Sequence, residues 1–104
     1  MAVTSKVLAR TAAATSSTTL YTVPNTSTTT VVTNIVATNT AAAEATFTIT
    51  IDGVAVQSGS TIPANSSVYI DLKQVIPANA TPKVIAGLAS ATTVNFHISG
   101  VEIA

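Results

Sequence analysis

Between Ala45 and Ile51 the chain alternates strictly, with Phe47, Ile49 and Ile51 separated by Thr46, Thr48 and Thr50. Successive side chains of a strand point to opposite faces, so an aromatic and β-branched set at period two specifies a half-buried strand. Asp52-Gly53 follows at once, and Val54-Ala55-Val56 resumes the apolar pattern. Asp-Gly between apolar runs is the signature of a two-residue hairpin turn, whose central residues both need φ > 0. A chain with this unit at its centre has to pair strands antiparallel and cover one face of the resulting sheet. A helical alternative has little to build on. Thr28-Thr29-Thr30 and Ser16-Ser17-Thr18-Thr19 are poor helix interiors. Ala41-Ala42-Ala43-Glu44-Ala45 is too short for an isolated helix and lies between strand-like segments, so it reads as a loop or a single turn.

Further strands are expected at Thr18–Val23, stopped by Pro24-Asn25, at Val68–Leu72 and at Lys83–Leu88. Thr29–Thr38 places Val31, Thr33, Ile35 and Ala37 on one face and Val32, Asn34, Val36 and Thr38 on the other. Apolar content on both faces is the mark of a central strand covered on each side. Ser58-Gly59-Ser60 reads as a break. Ile62-Pro63-Ala64-Asn65 and Ile76-Pro77-Ala78-Asn79 read as two similar turns into strands, with Pro fixing φ and Asn tolerating the left-handed region. The last strand, Thr92–Ile103, turns Val94, Phe96 and Ile98 inward. Beyond Gly100 the apolar residues are Val101 and Ile103, in the opposite phase, which a bulge or a close backbone approach at Gly100 would absorb. Seven to eight short antiparallel strands with frequent turns make an all-β chain, a β-sandwich or jelly roll. Phe47, Ile49, Ile51, Val68, Ile70, Leu72, Val94, Phe96 and Ile98 are expected to share one core. Residues 1–16 read as an extended N-terminal arm with at most a short strand at Lys6–Ala9, and residues 17–104 as the sandwich.

Charge then narrows the function. Charged residues are 8% of the chain and the formal net charge is zero, against about 25% charged residues in ordinary soluble proteins. Steering to nucleic acid or to an anionic membrane needs a charge excess, so neither partner is expected. A near-neutral surface resists association weakly, which suits a protein that ends up against neighbours. The absence of Cys removes thiol and disulfide chemistry. No segment approaches the ~20 apolar residues of a membrane-spanning helix, and the first ten residues lack a signal-peptide apolar run. The sequons at Asn25, Asn65 and Asn79 are what chance produces in a Ser/Thr-rich chain.

Catalytic patterns are missing. His97, the one histidine, alternates with Phe96 and Ile98 and should point off the core, with no partners for a metal. Asp52 is accounted for by its turn. Glu44 belongs to a loop, Glu102 to the polar chain end and Asp71 to a polar face beside Lys73. Nothing in the pattern pairs two of them as hydrolytic carboxylates. There is no G-x-S-x-G elbow and no phosphate-cradling glycine loop. Phe47 and Phe96 belong in the core, with Tyr21 and Tyr69 at its rim, rather than on a basic stacking platform. No enzyme activity, cofactor or metal is expected.

The segments Thr19-Leu20-Tyr21-Thr22-Val23-Pro24, Thr30-Val31-Val32-Thr33-Asn34-Ile35, Phe47-Thr48-Ile49-Thr50-Ile51-Asp52-Gly53, Ile62-Pro63-Ala64-Asn65-Ser66-Ser67-Val68 and Val94-Asn95-Phe96-His97-Ile98-Ser99-Gly100-Val101-Glu102-Ile103 together resemble a small β-sandwich module of tailed-phage virion proteins. The resemblance runs from about residue 17 to the C-terminus and rests on strand and turn patterns. It implies a capsid decoration (cement) protein, or a part of a tail, baseplate or fibre protein. Because the module is nearly the whole chain, it favours the decoration protein, with the major capsid protein as partner and self-association, as a trimer, beside it. The expected location is the capsid surface of a virion made in the bacterial host cytoplasm. On this reading Lys6 and Arg10, half of the chain's cations, are the partner-binding candidates, carried by the arm onto capsid carboxylates.

Overall fold

The computed structural model describes residues 2–104. Nine strands make up the fold of these residues: β1 (Val3–Ala12), β2 (Thr18–Thr22), β3 (Thr29–Asn39), β4 (Ala45–Ile51), β5 (Val54–Ile62), β6 (Ser66–Ile70), β7 (Gln74–Ile76), β8 (Val84–Ala89) and β9 (Val94–Ile103). The order β1-β9-β3-β6, with β7 also on β3, forms a five-stranded sheet, and β2-β8-β4-β5 forms a four-stranded one. All pairings are antiparallel. The architecture is an all-β sandwich of jelly-roll type.

Its topology follows from the central hairpin. Asp52 (φ 54°) and Gly53 (φ 74°) both occupy the left-handed region that the turn demands. Outward from this tip, β4 pairs with β5, β3 with β6 and β7, β2 with β8, and β1 with β9. The chain is therefore one long antiparallel ribbon folded at Asp52-Gly53 and rolled into two sheets. The ribbon's open end is closed by reciprocal hydrogen bonds between Ala2 and Ala104, both 2.9 Å.

The core lies between the sheets. Phe47, Ile49 and Ile51 of β4 face Val94, Phe96 and Ile98 of β9, all buried. The Phe47 and Phe96 rings meet across the gap at 6.0 Å and 57°, a tilted pairing favoured by ring quadrupoles. Val68, Ile70 and Leu72 pack against this core only partly buried, because β6 is an edge strand. Ile62 and Ile76 are nearly inaccessible. Each sits just before its proline, which explains the echo between the two turns, and Asn65 takes positive φ as its turn requires. Buried Asn39 holds the β3–β4 connection: its Nδ2 donates to Ala43 O at 2.7 Å and Ile62 O at 3.3 Å, while its Oδ1 accepts from Ala41 N and Thr93 Oγ1.

Several expectations are corrected. The stretch expected as a separate arm contains β1, which is paired along the whole of β9 and sends Leu8 and Ala9 into the core. Ser58-Gly59-Ser60 does not end a strand. It is an irregularity inside β5, where Gly59 takes positive φ and donates its N–H to Thr48 Oγ1. β7 was not anticipated, being a three-residue strand. In β3 the inward residues are Thr30 and Val32, then Ile35, Ala37 and Asn39. The phase shifts at Thr33, where the register with β9 slips between Val32 and Asn34. β9 carries no bulge at Gly100. Instead both of its neighbours do, β1 at Leu8 and β3 at Thr33. Gly100 is the close approach: a Cβ there would meet the Val31 carbonyl and the Leu8 side chain.

Candidate functional site

With β9 unbulged, Val101 and Ile103 keep the outward phase of His97 and Ser99. They join the solvent face of the five-stranded sheet. The ladder register arranges that face in rows. Val3 lies opposite Ile103, and Ser5, Val101, Val31 and Val75 form the next row. Farther along come Arg10, His97, Val36 and Tyr69, and then Ala12, Asn95, Thr38 and Ser67. One end is thus aliphatic and the other polar. Val3 (62% exposed), Val7 (45%), Tyr69 (77%) and Val75 (61%) all belong to this face, while Val54, the remaining large exposed hydrophobic among the described residues, sits at the hairpin tip. Exposed aliphatic side chains gathered on one sheet face make it the candidate contact surface.

The paired bulges shape the middle of the face. Around Ser99 and Gly100 they leave an open groove of about 530 Å³ bordered by Ser5, Val7, Thr33 and Val101. A smaller depression of about 150 Å³ lies between Tyr69 and Asp71, with Asn34 and Val36 beside it. Thr33 Oγ1 donates to Ser99 O at 3.2 Å across the bulge.

Glu102 has a different place from the solvated one expected. It shares the inward phase of Phe96 and Ile98, and its side chain is 13% exposed. The Tyr21 hydroxyl donates to Glu102 Oε2 at 2.5 Å and lies 2.8 Å from Thr30 Oγ1. Lys6 Nζ donates to both Glu102 oxygens, at 3.3 and 3.4 Å. This seam joins β1, β2, β3 and β9 at one end of the sandwich. Burial, reinforced by the bond to Glu102, pushes the Tyr21 phenol up to about 12.

The structure therefore separates the two partner-binding candidates. Lys6 is engaged in the seam. Arg10 stands on the outer face opposite exposed His97, without an ion pair among the described residues. Continuing the Phe96–Ile98 phase through Gly100 would have placed both Glu102 and the outward Val101 and Ile103. A bulge assigned to β9 hid that signal. Among the described residues, no three His, Cys, Asp or Glu side chains gather as a metal site would need, and no helix is long and apolar enough to cross a membrane.

No protein-family model matches the chain, and no curated protein does. Solved structures of similar fold include chains of infectious bursal disease virus. A chain of its T13 viral particle superposes with a TM-score of 0.56 at 14% identity, covering 97% of this chain and 30% of that one. A chain of the Gx strain gives 0.53 at 15%, covering 97% and 30%. VP2 of the subviral particle gives 0.52 at 16%, covering 97% and 31%. At these identities the likeness is one of fold, and this chain spans about a third of the length of the chains it matches.

Proposed function

We propose that this chain is a non-enzymatic virion structural protein: a capsid decoration (cement) protein of a tailed phage that sits on the outer capsid surface and bridges subunits of the major capsid protein. The observation that carries this reading is the jelly roll itself, superposing over 97% of its length on chains of viral particles. A charge-poor chain with an aliphatic outer sheet face supports it. On this reading the protein is made in the bacterial host cytoplasm and ends in the virion, without nucleic acid or membrane as partner.

Trimeric self-association belongs to the same proposal. The molecule measures 46 × 22 × 18 Å. Three faces ~22 Å wide set round a threefold axis would each stand about 6 Å from it, close to half the ~10 Å between stacked sheets, so side chains fill the middle. Four would leave a hollow. The outer face of the four-stranded sheet, with Thr46, Thr48 and Thr50, then points away from the axis, and one end of the trimer remains for the shell. Many copies on a symmetric lattice let each contact be modest. Cosedimentation with shells of the encoding phage's major capsid protein tests the reading. Saturable binding at stoichiometric occupancy is expected, and a protein that stays at the top of the gradient at micromolar concentration would overturn it.

A second reading, a tail, baseplate or fibre component that binds host glycan, draws on Tyr69 beside Asn34 and Asp71 in an open depression. An exposed aromatic flanked by an amide and a carboxylate has the makings of a sugar subsite. Glycan binding abolished by Tyr69→Ala would favour it over the capsid reading.

A further inference from the structure

We propose that copies of this chain meet through the outer face of the five-stranded sheet with a fixed polarity. The β1 edge of one copy, bearing Arg10, docks against the β6–β7 edge of the next, bearing Asp71. This rests on the self-association in the reading above and adds the surface and the residues that orient it.

The charges give the polarity. The chain has four cations and four carboxylates besides its histidine. Lys6 pairs internally with Glu102, and Lys83 with Asp52 at 3.4 Å. Arg10, Lys73, Glu44 and Asp71 have no internal ion pair among the described residues. Glu44 belongs to the β3–β4 connection, and Asp71 and Lys73 both belong to the β6–β7 connection. Arg10 and Asp71 share the outer face: Arg10 stands in the row of His97, Val36 and Tyr69, and Asp71 borders the depression beside Tyr69. Lys73 does not line that depression. Three strand spacings, about 14 Å, separate the β1 and β6 edges, so the two side chains do not pair within one copy. A contact between opposite edges brings them together, one row (about 7 Å) apart along the strand, within reach of a guanidinium fork. A contact between like edges would instead set Arg10 against Arg10.

The apolar rows supply the area. Val3, Val7 and Val75 are each about half exposed or more, and Val101 and Val31 lie between them in the register. A face bounded by 46 × 22 Å divides between two neighbours in a three-membered ring, about 500 Å² at most for each against the ~800 Å² per partner of a standard interface, so closure of the ring adds to what each contact supplies. A second copy matches it in two respects: it offers the same aliphatic rows, and it carries the complementary charge at the opposite edge.

The test is charge reversal read by sedimentation velocity and equilibrium on the full chain. Arg10→Asp and Asp71→Arg should each weaken self-association at least tenfold, because like charges then face each other across the contact. The double variant, Arg10→Asp with Asp71→Arg, should restore it. Both positions are exposed, so at concentrations low enough for every variant to be monomeric the thermal midpoints should match the parent's, which separates lost association from lost folding. Mixing the two single variants satisfies every contact of a two-membered assembly but leaves one like-charged contact in a three-membered ring, so only partial recovery is expected for a trimer. A wild-type chain that associates but ignores both reversals, or a double variant no better than the singles, overturns the placement while leaving self-association standing. A wild-type chain that stays monomeric at high concentration overturns both.

Discussion

Placing a methyl group on Gly100 should damage the fold out of proportion to its size. Gly100 does not lie in the left-handed region, so backbone conformation is not the obstacle; space is. A Cβ there would overlap the Val31 carbonyl oxygen and come 2.8 Å from Leu8 Cδ1 and 3.2 Å from the Val31 carbonyl carbon. The leucine methyl can turn away. The Val31 carbonyl cannot, because Val31 is held in register by Val101 on one side and Val75 on the other. Overpacking of this kind costs about 1–3 kcal/mol. Reduced freedom of the unfolded chain returns only about 0.4–1 kcal/mol, and then only where the native geometry accepts the new side chain. A net loss of about 2 kcal/mol corresponds to a Tm lowered by about 8–16 °C in a domain of this size. Urea denaturation followed by circular dichroism reads the loss as a lower midpoint at unchanged slope. Repeating Gly100→Ala in a Leu8→Ala background identifies the obstacle. With the backbone oxygen responsible, removing the leucine side chain does not recover the lost stability. A Gly100→Ala midpoint equal to the parent's, or full relief by Leu8→Ala, would refute the close-approach reading and return the irregularity to β9.

Phe96→Ala removes a ring that is 0% exposed and packed on Phe47; a loss of about 3–5 kcal/mol in denaturant midpoint analysis is expected. In a Tyr69→Phe background, the phenolate absorbance of Tyr21 should emerge only as pH approaches 12. The folded chain holds that proton more tightly than the unfolded chain, so its contribution to stability is whole below about pH 10 and is lost as pH rises through 12; an early rise in absorbance at full ellipticity would contradict the seam. Deleting residues 2–12 removes Leu8 and Ala9 from the core and strips β9 of its partner. Melting should collapse or fall by tens of degrees, and an unchanged melt would make β1 an appendage after all.

The hairpin, the two phenylalanines and the alternating phases of β4 and early β9 were readable in the sequence because each depends on local period and turn chemistry. Their success stops where a partner strand decides the geometry. Nothing in Val7-Leu8-Ala9 or Val32-Thr33-Asn34 announces a bulge. Both bulges arise because Gly100, on another strand, lets its neighbours close in. An irregularity placed in β9 itself turns Val101 and Ile103 inward and Glu102 outward, the reverse of their places. β1 is hard to see in the sequence for a related reason. Only Leu8 and Ala9 of its ten residues are buried, so it has no alternating apolar face to detect. Its order comes from the ladder with β9. Of the two candidate contact residues, Arg10 is exposed on the outer face, whereas the capture of Lys6 by Glu102 depends on a register across 96 positions of sequence.

The reciprocal hydrogen bonds between Ala2 and Ala104 bring the first and last of the described residues side by side. A short peptide linking those two residues would complete the ring, and the chain could then be opened at the Asp52-Gly53 tip without removing any strand from either sheet. Such a rearranged chain would exchange the most local contact of the fold for its most distant one. The β1–β9 ladder would then form as a hairpin, and β4 would have to find β5 across the whole length of the chain. Refolding kinetics of the two connectivities, at nearly equal final stability, would show whether the roll winds up from its tip or closes from its open end. Peptides grafted at either terminus would emerge side by side from one corner, next to the aliphatic row of the outer face.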